Sequence, residues 1–405
     1  MNLTTKLKHK LAGVPVGVLL CLCAAHCCND ILQAVITALY PMLKTELALD
    51  FAQIGIVTLV YQIAASIFQP VVGLVFDKHP RPWSLWMGMS FTTLGIILFS
   101  FVESYAAVLF TVACIGLGSS VLHPEASRIA SVCSHGKRGL AQSVFQVGGN
   151  FGSAIGPLLV ALFVAPYGRR YVLLFLIVSV IAFAVMGKIV RWFARYIKEQ
   201  KRQRAHGVAK LPMPFGKPKT AIVVVVVMLM MLIISKYAFM ACMTSYYTFF
   251  TIHEFGISIP MSQILLFVFV GSTAAGTLVG GPVGDRYGRK LVIWASILGA
   301  APFALLLPHV SLPWVVVCSF CAGFMLSSAF PAILLYSQEL LPNHLGTVSG
   351  LFFGFAFGIG GIASAVIGNF ADTYGIVAVF NFCSFTPLFG AVALLLPKMR
   401  KSSSV

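Results

Sequence analysis

Acidic side chains are what this chain has least of. Its 405 residues include 11 Asp and Glu, and charged residues of either sign make up only 10%, where a soluble domain carries roughly 25%. With 59% of residues hydrophobic and a mean hydropathy of +0.94, too little polar surface exists to face water. A soluble globular fold is excluded, and an integral membrane protein is expected. Hydrolase signatures are missing as well. Neither H-E-x-x-H nor the G-x-S-x-G nucleophile elbow occurs, so no enzymatic activity is expected. The ten cysteines lie almost wholly within apolar segments, where they act as small packing residues rather than a disulfide framework. Cys23 and Cys27 share a helix face, but no second cluster completes a ligand set, so neither metal nor cofactor is expected. The opening "MNLTTKLKHKLAGVPVGVLL" lacks a following A-x-A cleavage site and reads as a retained first helix.

What the chain does have is long apolar runs, such as "AIVVVVVMLMMLII" from Ala221 to Ile234. About 20 such residues span a bilayer, and only helices or closed barrels satisfy the backbone there. Turn and charge punctuation yields about twelve segments: 14–42, 52–76, 83–102, 105–134, 139–165, 171–196, 220–252, 261–284, 290–308, 312–340, 346–372 and 375–397. The expected fold is all-α integral membrane, twelve transmembrane helices in two pseudo-symmetric six-helix bundles. The net charge of +17 is distributed for topology. Lys78, Arg81, Lys137, Arg138, Arg286, Arg289 and Lys290 fall on one side, with the basic termini and linker, and Lys44, Arg169 and Arg170 on the other. The positive-inside rule puts both termini in the cytoplasm. The basic residues favour anionic membrane lipid, and nucleic acid is not a partner.

The densest basic run, "RYIKEQKRQRAHGVAKLPMPFGKPKT", begins at Arg195. It divides the chain into an N-terminal six-helix bundle (1–194), a cytoplasmic linker (195–219) and a C-terminal six-helix bundle (220–405). The halves look repeated. Gly116, Ser120, Pro124 and Gly139 match Gly323, Ser327, Pro331 and Gly346 at a common offset of about 207, and Asp77 matches Asp285 one residue further on. Such repetition suits alternating access around a central site.

Several strings carry a family resemblance. "GGPVGDRYGRK" (Gly280 to Lys290) resembles the signature loop of the major facilitator superfamily, and "GLVFDKHPRP" (Gly73 to Pro82) is a degenerate first-half copy. The expected gating residues are therefore Asp77, Arg81, Asp285, Arg286 and Arg289, with a merely topogenic basic loop as the alternative. "GGNFGSAIGP" resembles the superfamily's antiporter motif through Gly152, Gly156 and Pro157; the glycine spacing also serves ordinary helix packing, and the proline adds a bend. With "HCCND", "YQIAASIFQPVVG", "GSSVLHPEASR", "SKYAFMACMTSYYTF" and "ELLPNHLGTVSGLFFGFAFGIGG", the whole chain is similar to the fosmidomycin resistance protein family. The resemblance implies efflux across a bacterial inner membrane coupled to proton entry, with phosphonate antibiotics among the substrates. One departure stands out: the arginine that the wider drug-antiporter group carries early in the fourth helix is replaced by Val112, so that group's coupling assignment does not transfer.

An ionisable side chain at bilayer depth costs about 2.5 kcal/mol or more and marks a functional candidate. Asp30 lies mid-way along the first helix, with His26, Gln33 and Thr37 on the same stripe. Asp30 and His26 are candidate proton carriers, or a static pair. Lys236, followed by Tyr237, is equally deep in the seventh helix, and the repeat offset sets it beside Asp30. A salt bridge between them is expected, or an anionic substrate on Lys236. In "SSVLHPEASR", Glu125 and Arg128 are three apart and share a face, whereas His123 points away unless Pro124 bends it round. They form either a gating pair or a site in which Glu125 exchanges protons while Arg128 and His123 hold an anion. Glu339 is expected to pair with Arg286 or Arg289. Tyr246 and Tyr247 are cavity donors or interfacial anchors. The resulting expectation is a monomeric proton-coupled antiporter exporting small anionic drugs. An uptake symporter for a small organic anion is the alternative.

Overall fold

The computed structural model describes residues 15–134, 138–205, 219–341 and 344–395, and no strand occurs among them. The main helices, in chain order, are α1 (Val16–Ala38, continued after a break by Tyr40–Glu46), α2 (Phe51–Lys78), α3 (Ser84–Phe99), α4 (Tyr105–Val132), α5 (Arg138–Leu159), α6 (Leu176–Ala205), α7 (Lys219–Phe255), α8 (Ile259–Tyr287), α9 (Arg289–Leu306), α10 (Leu312–Leu340), α11 (Leu345–Tyr374) and α12 (Ile376–Cys383). Ten spans are long and apolar enough to cross a membrane, and Ser84–Phe99 and Ile376–Ala391 are shorter apolar helices. Large apolar side chains such as Ile67, Val71, Val180, Val366 and Phe389 point outward and stay exposed. That surface suits lipid rather than water, so the chain is a multi-pass membrane protein.

Turn chemistry sets the helix ends. Asp50 and Gln53 form a capping box at the start of α2, and Ser104 caps α4 by accepting from the Ala107 amide. Gly288 and Gly375, at φ 97° and 84°, make the sharp α8–α9 and α11–α12 reversals. Helix α6 runs to Ala205, eleven residues into the stretch expected to be linker. Its Arg, Lys, Gln, Glu and Ala residues are good helix formers, so the basic run begins as a helical extension; the linker residues 206–218 lie outside the described residues.

Small residues bring helices together where the site needs them. Gly148 and Gly152 of α5 face the backbone of Cys23 and Cys27 in α1, and Gly156 faces Ala34. Pro157 leaves α5 without one backbone donor, and a π-helical turn, Val160–Val164, follows it. Helices α2 and α11 run against each other along their whole length. A Cβ on Gly354 would come 2.7 Å from the Ser66 carbonyl and one on Gly55 2.8 Å from the Ser364 carbonyl, while Gly350 leaves no room beside Gln69. Helices α5 and α8 make a second seam, in which Asn150 Nδ2 donates to Thr277 Oγ1 (2.6 Å).

Candidate functional site

Three titratable side chains meet in the middle of the bundle. His26 and Asp30 are one turn apart on α1, so both side chains leave the same face, with His26 Nε2 3.4 Å from Asp30 Oδ2. His123 reaches them from α4. Its Nε2 lies 3.2 Å from His26 Nε2 and 3.8 Å from Asp30 Oδ1. Both imidazoles are buried, at 3% and 2% exposure. His26 Nδ1 is 2.8 Å from the Phe145 carbonyl oxygen of α5, and the ring stacks on that of Phe145. His123 Nδ1 is 3.0 Å from the Ser119 hydroxyl and 3.1 Å from the Ser119 carbonyl oxygen one turn back. The Asp30 carboxylate accepts from Asn29 Nδ2 at 3.1 Å and from Ser153 Oγ at 3.4 Å. Gly149 makes the space: a Cβ there would strike the His26 ring and stand 2.8 Å from Asp30 Oδ2. The donor atoms of His26, Asp30 and His123 lie within 4.8 Å of one another, a spacing metal ligands also adopt. Here both carboxylate oxygens already accept from protein donors, and the two Nε2 atoms stand at hydrogen-bond distance. The residues therefore fit a hydrogen-bonded cluster better than a metal centre.

Aromatic rings of the second half cover His123. Phe353 and Phe357 of α11 lie 5.3 and 5.0 Å from its ring, and Phe330 of α10 packs on Phe353. The Lys236 ammonium lies 5.0 Å from the Phe330 ring and 5.2 Å from that of Tyr237. The expected Lys236–Asp30 salt bridge is therefore not formed. Asp30 is taken by the two histidines, and Lys236 is buried against π faces that attract a cation. Gln33 accepts from the Tyr61 hydroxyl, but its buried Nε2 has no partner.

The model described as Major Facilitator Superfamily matches residues 22–253 and again 228–405. The chain belongs to the major facilitator superfamily. It is 49% identical over 384 residues to the fosmidomycin resistance protein of Escherichia coli (strain K12), covering 95% of this chain and 93% of that one. It is 37% identical to YfnC, an uncharacterized MFS-type transporter of Bacillus subtilis (strain 168), over 99% of this chain and 98% of that one. The fold resembles that of the superfamily transporter FucP, solved in its outward conformation, with a TM-score of 0.66 at 16% identity over 94% of this chain and 99% of that one. These relatives are transporters, and the chain is a transporter rather than an enzyme.

The superfamily's signature-loop residues lie at the basic end of the bundle. Asp77, at the end of α2, caps the first turn of α11 from the opposite half. It accepts from the Gly346 amide (3.2 Å), the Thr347 amide (2.9 Å) and the Thr347 hydroxyl (2.9 Å). Beside it, Arg128 and Glu125 form a buried two-point ion pair at 2.6 and 3.0 Å, under Gly346 and over the Phe193 ring. His123 belongs to the Asp30 cluster instead, so "SSVLHPEASR" divides between two sites. Ser127 meets Ser349 Oγ at 3.1 Å, and Ser131 donates to Gln338 at 3.1 Å, further joining the halves at this end. In the second half Arg289 holds Glu339 at 2.6 and 3.1 Å. Arg286 lies over the Tyr287 ring, and Arg81 is exposed. The side chain of Asp285 lies outside the described residues.

At the other end Asp372, closing α11, accepts from the Phe51 and Ala52 amides at 3.1 and 2.8 Å, capping α2 in return. Tyr246 and Tyr247 lie inside the helix packing. Both are fully buried, with Tyr246 bonding the Ser364 carbonyl (2.7 Å) and Tyr247 Ser319 (3.3 Å), because their ring positions face α11 and α10. Sequence reasoning passed over Asp372, Phe353 and Phe357. A lone acid at a helix end and phenylalanines in an apolar run carry no signal until the halves are brought together.

Proposed function

We propose that this protein is a proton-coupled antiporter of a bacterial inner membrane, exporting small anions related to fosmidomycin. The observation that carries the reading is the buried His26–Asp30–His123 cluster, at mid-depth in a chain similar over 95% of its length to a fosmidomycin resistance protein. Twelve transmembrane helices, in an N-terminal bundle (1–194) and a C-terminal bundle (220–405) joined by the linker 195–219, move as two bodies around it. Both termini face the cytoplasm, and the monomer is the working unit. The Asp30 cluster carries the proton. Lys236, with Tyr237 and the unpartnered Gln33 amide, binds the anion across the aromatic layer. Loading either biases the inward–outward equilibrium. Glu125, held by Arg128, serves the basic-end gate with Asp77, Arg289 and Glu339 rather than proton transfer. Each pH unit supplies about 1.36 kcal/mol per proton, and 100 mV about 2.3 kcal/mol per charge moved. Expression in a sensitive strain should lower cellular fosmidomycin, and a protonophore should restore it. A rise in cellular drug on expression replaces export with uptake.

A further inference from the structure

Helix α6 changes character along one face. Ile177, Val180, Ile181 and Ala184 recur at three- and four-residue spacings and stay exposed, an apolar row that meets acyl chains. The same row continues as Lys188, Arg191, Arg195, Lys198 and Arg202, all exposed as well. The single acid of α6, Glu199, lies beyond Arg195. Whether these cations meet headgroups or water is decided by their depth.

Two arginines mark the other bilayer surface. Arg169 and Arg170 open the 3₁₀ segment Arg169–Phe175 that leads into α6. From Arg170 to Lys188, at about 2.0 Å per 3₁₀ residue and about 1.5 Å per α-helical residue, the chain rises about 30 Å. That is the thickness of a hydrocarbon core, so Lys188 stands where the acyl region ends. Arg191 and Arg195 follow about 4.5 and 10.5 Å further on, in and just past a headgroup layer about 5–7 Å deep. Lys198 and Arg202, about 15 and 21 Å beyond Lys188, stand in water. Helical side chains lean toward the N-terminus, which here is toward the bilayer, and Arg191 Nε donates back to the Gly187 carbonyl at 3.1 Å. Indole rings flank the row at this level, as they do at membrane interfaces. Trp86 of α3 donates its N–H to the Phe183 carbonyl (3.3 Å) and faces Gly187, and Trp192 stacks on Tyr196 at the other flank.

We propose that an anionic phospholipid of the leaflet at the basic end docks on this face of α6. Lys188, Arg191 and Arg195 hold its phosphate, and one acyl chain lies along Ala184, Ile181 and Ile177. The guanidinium forks match phosphate oxygens in pairs, and the lysine adds a compact charge. Cytoplasmic termini make this the inner leaflet, and the site stands whichever way substrate and proton move.

The purified full-length protein in detergent is titrated with phosphatidylglycerol or with phosphatidylcholine of the same acyl chains, and bound lipid is read by native mass spectrometry. A basic residue at the membrane surface is worth roughly fivefold in affinity for anionic lipid. Lys188→Gln with Arg191→Gln should weaken phosphatidylglycerol binding roughly thirtyfold and leave phosphatidylcholine binding as it was. Lys198→Gln with Arg202→Gln removes the same charge beyond the headgroups and should change neither. Equal losses from the two double variants mean diffuse attraction to the basic face and overturn the site. A wild type that binds both lipids alike overturns it too, and glycerophosphoglycerol binding as tightly as the whole lipid overturns the acyl contact. Position is read in the wild type, independently of how any variant folds, with phosphatidylglycerol carrying a photoreactive acyl chain. Crosslinks should fall on residues 177–187 or on α3 beside them; crosslinks confined to other helices overturn the proposal.

Discussion

Asp77→Ala is the perturbation whose size the structure defines best. It deletes one carboxylate that accepts three hydrogen bonds from the start of α11, at 2.9 to 3.2 Å. It also removes a negative charge from a helix N-terminus, worth about 0.3–1 kcal/mol. Hydrogen bonds to a charged group contribute about 1.5–3 kcal/mol each when buried. The site is half-exposed, so water replaces much of that, and a total near 2 kcal/mol is reasonable. At about 1.36 kcal/mol per decade, the closed-to-open ratio at the basic end should fall roughly thirtyfold. Nothing should change at the opposite end, where Asp372 caps α2. Nitroxide pairs at His79 and His344, and at Glu103 and Tyr374, all exposed, report the two ends by electron–electron resonance in nanodiscs. Asp77→Ala should lengthen the first distance alone. Asp372→Ala should lengthen the second alone, by a smaller population because that carboxylate is exposed. Unchanged distributions for Asp77→Ala, or lengthening at the wrong end, refute reciprocal helix capping as the latch.

Three further outcomes follow from the packing. Gly149→Ala drives a methyl into the His26 ring; overpacking of this kind costs about 1–3 kcal/mol, and the thermal midpoint should drop together with gradient-driven transport. Glu125→Ala leaves a buried guanidinium without its partner, a loss of about 3–5 kcal/mol. Reversing the pair, Glu125→Arg with Arg128→Glu, should recover most of the folded yield in detergent if the pair is structural. Lys236→Met should raise the concentration of fosmidomycin needed for half-maximal counterflow by about tenfold or more, consistent with loss of a charged contact. An unchanged concentration dependence removes Lys236 from the substrate site.

The architecture was readable because lipid simplifies the code. Each apolar run must satisfy its own backbone as a helix, and basic residues cluster at the connections α2–α3, α4–α5, α6–α7 and α8–α9. The i,i+4 relation also made the His26–Asp30 pair legible within α1. His123 was half legible. Its two-residue offset from Glu125 separated it from the Glu125–Arg128 pair, but only the packing of α4 on α1 shows that it turns to His26. Lys236 misled because the repeat offset matches positions in the two halves, which is not contact between them; its ammonium rests on the Tyr237 and Phe330 rings. The aromatic cover from α11 and the return cap by Asp372 were invisible for the same reason. Both are contacts between distant segments, and no local spacing encodes them.

Antiport itself is tested most directly by watching protons as substrate moves. In proteoliposomes carrying a trapped pH-sensitive dye and no imposed gradient, a downhill pulse of fosmidomycin through the wild-type protein should drive protons in the opposite direction to the drug. Drug movement without proton movement, or protons travelling with the drug, contradicts the account.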